Sequence, residues 1–166
     1  MPALFTTTEK GWLPAVTEEP TGVGAPLVLS LIHISTTSGG PGQSDVLAFA
    51  LNLEYLEATF YSYITQGADL PSDTTVSSGA ITGAPAAKIT FAGANAAVIT
   101  DMLNEIYFDE LNHVRELRSL LGILVVPRPA INLAALGAIT AGNALSIARL
   151  FEDVGVTAYA LSLIHI

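Results

Sequence analysis

The chain of 166 residues contains no cysteine. Disulfides, thiolate zinc sites, cysteine-held iron–sulfur clusters and cysteine nucleophiles are therefore excluded. Any metal must be bound by oxygen and imidazole donors, which suits iron, manganese, magnesium, calcium or zinc better than soft-metal chemistry. Basic residues are scarce too, with 6 Lys and Arg against 15 Asp and Glu, for a formal net charge of -9. No basic patch is available to hold a phosphate backbone or an anionic membrane surface, so nucleic acid is not an expected partner. Long apolar runs are also missing, and none reaches the ~20 residues that a membrane span requires. The apolar stretch from Val23 to Ile34 follows Glu18 and Glu19 instead of a basic segment, so it does not read as a targeting signal. What the chain has in quantity is apolar content, 51% against 13% charged, which suits one globular domain with a sizeable core.

Residues 1–43 are rich in Thr, Gly and Pro, show no sustained period and end in the turn-rich run STTSGGPGQS, so a poorly structured or chimeric lead-in is expected there. The pattern changes at Ser44. From there to about Gln66, apolar residues recur three and four apart with no Gly or Pro until Gly67, which predicts a helix capped by Ser44 or Asp45. A long Gly/Ser/Thr/Pro-rich connection follows, with only KITF at 88–91 strand-like. A second helix is expected from about Ala94 to Leu121, closed by Gly122 and by the VVPRP segment. Residues 130–141 read as weak helix or loop, and a third helix as running from about Asn143 to Ala160. The domain is thus 44–160.

Two internal matches bear on the organisation. LEYLEATFY at 53–61 and FEDVGVTAY at 151–159 share an apolar residue, Glu, Thr and Tyr in register, as a bundle built from two related helical hairpins would give. The hexapeptide LSLIHI occurs at 29–34 and again at 161–166, in surroundings that share nothing. It resembles a translated sequencing adapter, so 161–166 reads as a non-native tail, and His33 and His165 are discounted as ligands.

Each expected helix carries a glutamate in its apolar stripe. On the first, Leu47, Ala50, Glu54, Glu57 and Tyr61 align; on the second, Leu103, Ile106, Glu110, His113, Leu117 and Leu120; on the third, Leu145, Ala148, Glu152, Gly155, Val156 and Tyr159. An inward carboxylate needs a cation or a proton, because an isolated buried charge costs several kcal/mol. Arg115, Arg118 and Arg149 lie on the helices, so a buried ion-pair network competes with a metal site. Glu110 and His113 at i and i+3 share one helix face and can bind the same or adjacent ions, with carboxylates from other helices completing the shell. Alone, an ExxH pair has little specificity; in the chain order Glu, ExxH, Glu it gains much more. Glu57 reads either as an extra bridging carboxylate or as an edge residue. Tyr61 and Tyr159 read as core aromatics whose hydroxyls seek carboxylates, with a supporting or redox role as the alternative. No nucleophile elbow or other acyl-transfer motif appears.

At these residues the chain resembles the ferritin-like superfamily, and more closely the bacterial and plant ferritin-like domain proteins that include the desiccation-related group. The resemblance runs from about Asp45 to Tyr159, through DVLAFALNLEYLEATFY, ITG with KITF, DELNHVRELRSLLG, VPRPAINL and RLFEDVGVTAY. It implies an all-α ferritin-like bundle and a two-metal iron or manganese site, with Glu54, Glu110, His113 and Glu152 as ligands. The family pattern also has a fourth helix with a second ExxH, which this sequence lacks. Three core helices, an incomplete site and an exposed apolar groove open to self-association are therefore expected. The resemblance implies redox chemistry or metal handling, and often export or a periplasmic location. The competing function is a metal-free bundle with a structural or stress- and desiccation-protective role.

Overall fold

The computed structural model describes residues 5–8, 11–14 and 42–164. Both LSLIHI side-chain sets, His33, His165 and most of the 1–43 lead-in lie outside the described residues. Within that lead-in two short strands, β1 (Phe5–Thr8) and β2 (Gly11–Pro14), pair antiparallel with Phe5 opposite Pro14.

Three long helices form the domain: α1 (Gln43–Thr65), α2 (Ala96–Leu121) and α3 (Ala144–Ile164). α1 starts one residue before the expected point. Its N-cap is Gly42, and Asp45 acts from inside the first turn, its carboxylate accepting from the Gly42 N–H at 3.0 Å. Gly67 closes α1 in the left-handed region at φ +70°, its N–H bonding the carbonyls of Ser62 and Tyr63, and Gly122 closes α2 at φ +54°. The helix of α3 continues through the first residues of the second LSLIHI, to Ile164.

KITF forms no strand; Ile89 only donates its N–H to the Ile64 carbonyl at 2.8 Å. The extended pairing lies elsewhere. β3 (Ile81–Thr82) runs parallel to β4 (Ile131–Asn132) and ties the α1–α2 connection to the segment 125–143, which is irregular apart from β4.

α1 is the centre of the fold. It packs against both α2 and α3, whereas those two barely touch each other. Contacts between Tyr55 and Arg118 and between Gln66 and Asn104 make α2 antiparallel to α1, and contacts of Tyr61 with Glu152 and of Tyr159 with Glu54 make α3 antiparallel as well. Every residue of α1 from Leu53 to Ser62 is accordingly buried. α2 and α3 have one main neighbour and bury one arc each. For α2 this arc is Leu103, Tyr107, Glu110, Leu111, Val114, Leu117 and Leu121; for α3 it is Ala144, Ile147, Ala148, Phe151 and Gly155. The expected stripes are thus rotated at their margins, since His113, Leu120, Leu145, Val156 and Tyr159 are exposed. Of these, His113, Leu120 and Tyr159 line the groove beside Glu54, and a helix cannot bury a face that has no neighbour.

Arg128, only 3% exposed, clasps the two connections together. Its guanidinium donates twice to the Asp69 carboxylate and once to the Gly79 carbonyl, with Thr59 Oγ1 at 3.5 Å. The Arg128 pair holds the Asp69 carboxyl below the usual range, outweighing the opposing effect of partial burial. No helix among the described residues is long and apolar enough to cross a membrane.

Candidate metal centre

α1 and α2 bring Glu54, Glu110 and His113 together at mid-height of the bundle. His113 Nδ1 lies 3.2 Å from Glu54 Oε2 and 3.1 Å from Glu110 Oε2, and one donor atom from each of the three lies within 4.8 Å of the others. The i, i+3 spacing on α2 places Glu110 and His113 on one side of that helix. The antiparallel register of α1 sets Glu54 opposite them. Glu54 is 3% exposed and Glu110 7%, whereas the His113 side chain is 52% exposed at the lip of the cleft. A groove of about 340 Å³ leads from that lip to the carboxylates, lined by Glu54, His113, Glu116, Leu117, Leu120 and Tyr159.

α3 reaches the same region from the other flank. Tyr61 donates to Glu152 Oε1 at 2.7 Å, and Tyr159 donates to Glu54 Oε1 at 2.5 Å. Two of the residues shared by the 53–61 and 151–159 segments thus hold one another reciprocally, the tyrosine of each helix on the glutamate of the other. Burial and the adjoining carboxylates push both phenols well above their ordinary range, so both stay protonated donors. Glu152 sits beside Tyr61, outside the three-residue group.

Glu57 is interior, 6% exposed, and not at the bundle edge. Burial first, then the charges of Glu54, Glu110 and Glu152, push its pKa from 4.5 up to about 9. Glu110 is raised to about 8, by burial and by Glu54, against the pull of His113. The imidazole of His113 is raised as well; burial opposes this, but the two carboxylates outweigh it.

No Lys or Arg neutralises the cluster among the described residues. Arg115 pairs with Asp73, Arg149 with Asp153, Arg128 with Asp69, and Arg118 donates to the Tyr55 hydroxyl. Two buried carboxylates and a half-exposed imidazole, with no cationic side chain beside them, form an oxygen and nitrogen donor set that could hold a metal ion. Sequence reasoning overlooked Glu116, which lines the groove one turn beyond His113, and the role of Gly155. The signal for the latter was present: the internal match sets a helix-interior glycine opposite Glu57.

Comparison with protein families matches residues 42–166 to the ferritin-like domain family, and the chain belongs to it. Neither the curated proteins nor the solved structures yield a match.

Proposed function

We propose that the chain binds iron or manganese through Glu54, Glu110 and His113, with Glu152 as a further carboxylate at the same centre. The observation that carries this reading is the convergence of three donor atoms within 4.8 Å in a buried cluster that no basic side chain neutralises. When bound, iron or manganese in such surroundings supplies one-electron redox chemistry of the kind that two-metal members of the family direct at oxygen or peroxide. The residues' own part is to bind and orient. Tyr159 and Tyr61 fix one oxygen each of Glu54 and Glu152, which leaves Glu54 Oε2 beside His113 Nδ1, and any proton shared between His113 and the Glu54 and Glu110 carboxylates must leave when an ion takes those atoms.

Elemental analysis of the purified protein tests this directly. The wild type is expected to retain about one equivalent of metal or more, and Glu110→Ala to drop below about a tenth. A wild type that is equally empty would leave the metal reading without support.

A second reading, a metal-free bundle with a structural or desiccation-protective role as in the related group, draws on one observation. His113 and the two tyrosines already give Glu54, Glu110 and Glu152 hydrogen-bond partners without an ion. Elemental analysis separates the two.

Self-association of two copies through the cleft is a companion expectation, because Leu120 and Tyr159 present apolar surface there and Ile123 and Val156 are exposed as well. Sedimentation should give a concentration-dependent dimer that Leu120→Lys with Val156→Lys disperses. A monomer at every concentration would sink it.

A further inference from the structure

The two Tyr–Glu clasps repeat one another with α1 and α3 exchanged, which places an approximate two-fold axis between the antiparallel helices. Glu57 and Gly155 lie at the middle of this arrangement, between the clasp at Glu54 and the clasp at Glu152. The internal match aligns these two positions with each other: α1 carries a carboxylate where α3 carries no side chain. Close to such an axis, equivalent side chains from the two helices would compete for the same space. The contacts bear this out, because a Cβ added to Gly155 would lie 2.8 Å from Glu57 Oε1 and 3.6 Å from its Cδ and Oε2. Glycine is a poor residue for a helix interior, so its presence here calls for a packing reason, and the Glu57 carboxyl is the group it makes room for.

Glu57 differs from its neighbours in a second way. Glu54, Glu110 and Glu152 each have a hydrogen-bond partner, whereas Glu57, more than nine-tenths buried, accepts no hydrogen bond and forms no ion pair among the described residues. Neither Glu57 oxygen is among the fully enclosed unpartnered atoms, so the carboxyl keeps a little accessible surface through which a cation could satisfy it. Its position is central: the charges of Glu54, Glu110 and Glu152 all act on it.

We propose that Glu57 is a metal-binding carboxylate spanning the space between the Glu54–Glu110–His113 group and Glu152, and that Gly155 is the residue that positions it there. This rests on the metal-binding reading above and adds to it a donor that stands on α1 one turn from Glu54, together with the backbone feature of α3 that admits it. The ligand is a divalent first-row cation. The added Cβ of an alanine at 155 would meet only the end of a flexible side chain, so it would turn the Glu57 carboxyl aside without disturbing the backbone.

The test is Mn(II) binding by the full chain, followed by equilibrium dialysis and by the loss of the free Mn(II) electron paramagnetic resonance signal. The variants are Glu57→Gln, Glu57→Ala, Gly155→Ala, and the Glu57→Ala/Gly155→Ala double. Glu57→Gln and Gly155→Ala should each weaken binding about 10–100-fold. The double variant should bind no worse than Glu57→Ala alone, because the new methyl then enters space already vacated. Its metal-free melting midpoint should match or exceed that of Glu57→Ala, since alanine is the better helix former. Glu57→Gln is nearly isosteric and keeps the test decisive should Gly155→Ala not fold. Affinities within about twofold of wild type for both single variants, or additive losses in the double, would overturn the proposal while leaving the three-residue site standing. A wild type that takes up no Mn(II) would overturn both.

Discussion

Stripped of metal, the protein is expected to lose stability as the pH rises from about 4.5 to about 9. The sign follows from the protons each state holds. Glu57 has a folded-state pKa of about 9 and Glu110 one of about 8, against an ordinary 4.5, so between these limits the folded chain binds protons that the unfolded chain has released. Stability falls with pH wherever the folded state binds more protons. His113 acts in the same direction, because its raised pKa contributes stability that is present below the ordinary histidine value and lost as the pH climbs through the folded one. Asp69 governs the acid end, where its depressed pKa makes stability fall as the pH drops below the ordinary aspartate range. Within its own window each raised carboxyl makes stability fall with rising pH, and the ionisation of one hinders that of the next, so the decline should be gradual across the whole range. Urea denaturation at pH 5, 7 and 9 in the presence of a chelator measures it. Saturating Mn(II) should reverse the slope, since a cation binds the deprotonated carboxylates and neutral imidazole and its affinity grows with pH. A flat metal-free profile over this range would mean that the carboxylates are solvated or paired in a way the packing does not provide for.

Asp69→Ala should destabilise the fold by about 3–5 kcal/mol, and more than Arg128→Met does. The asymmetry comes from burial. Asp69 keeps 41% of its side chain exposed and can be rehydrated when its partner is removed, whereas Arg128 at 3% cannot. Removing the aspartate strands a guanidinium whose Nε already lacks a partner and whose remaining contacts are the Gly79 carbonyl and Thr59 Oγ1. Arg128→Met removes the charge together with its burial and keeps most of the apolar stem, so about 1–2 kcal/mol is expected. The double variant should resemble Arg128→Met. A loss of several kcal/mol is a large part of the roughly 5–15 kcal/mol that holds a typical domain, so Asp69→Ala should also melt well below the wild type. Chemical denaturation of the three variants checks the order, and an effect of Asp69→Ala below that of Arg128→Met would contradict it.

The three helices were legible because their apolar residues recur at helical spacing and because Gly67 and Gly122 punctuate them, features that depend on local chemistry alone. The inward placement of Glu54 and Glu110 was legible for the same reason, as a charged residue inside an apolar stripe stands out. The exposure of His113, Leu120, Val156 and Tyr159 was not. Periodicity reports which residues share a face, but only the neighbours decide how much of that face is covered, and α2 and α3 leave a cleft between them. The β3–β4 pairing escaped notice because two-residue strands carry no period, and KITF misled because its alternation is met by a single bond to the end of α1. The pairing of Arg128 with Asp69 spans 59 positions and has no sequence signature. The reciprocal clasps lie between these extremes: the repeat of Glu and Tyr was visible, and the antiparallel packing of α1 on α3 turned that repeat into contacts.

The complete enclosure of α1 has a consequence for the candidate centre. Glu54 and Glu57 sit on a helix whose whole circumference is occupied between Leu53 and Ser62, so that helix cannot shift without breaking the core on every side. α2 and α3 each have a free flank. An ion held as proposed would therefore rest on two fixed carboxylates of α1, Glu54 and Glu57, while Glu110 and His113 on the less enclosed α2 border the side that opens to the groove.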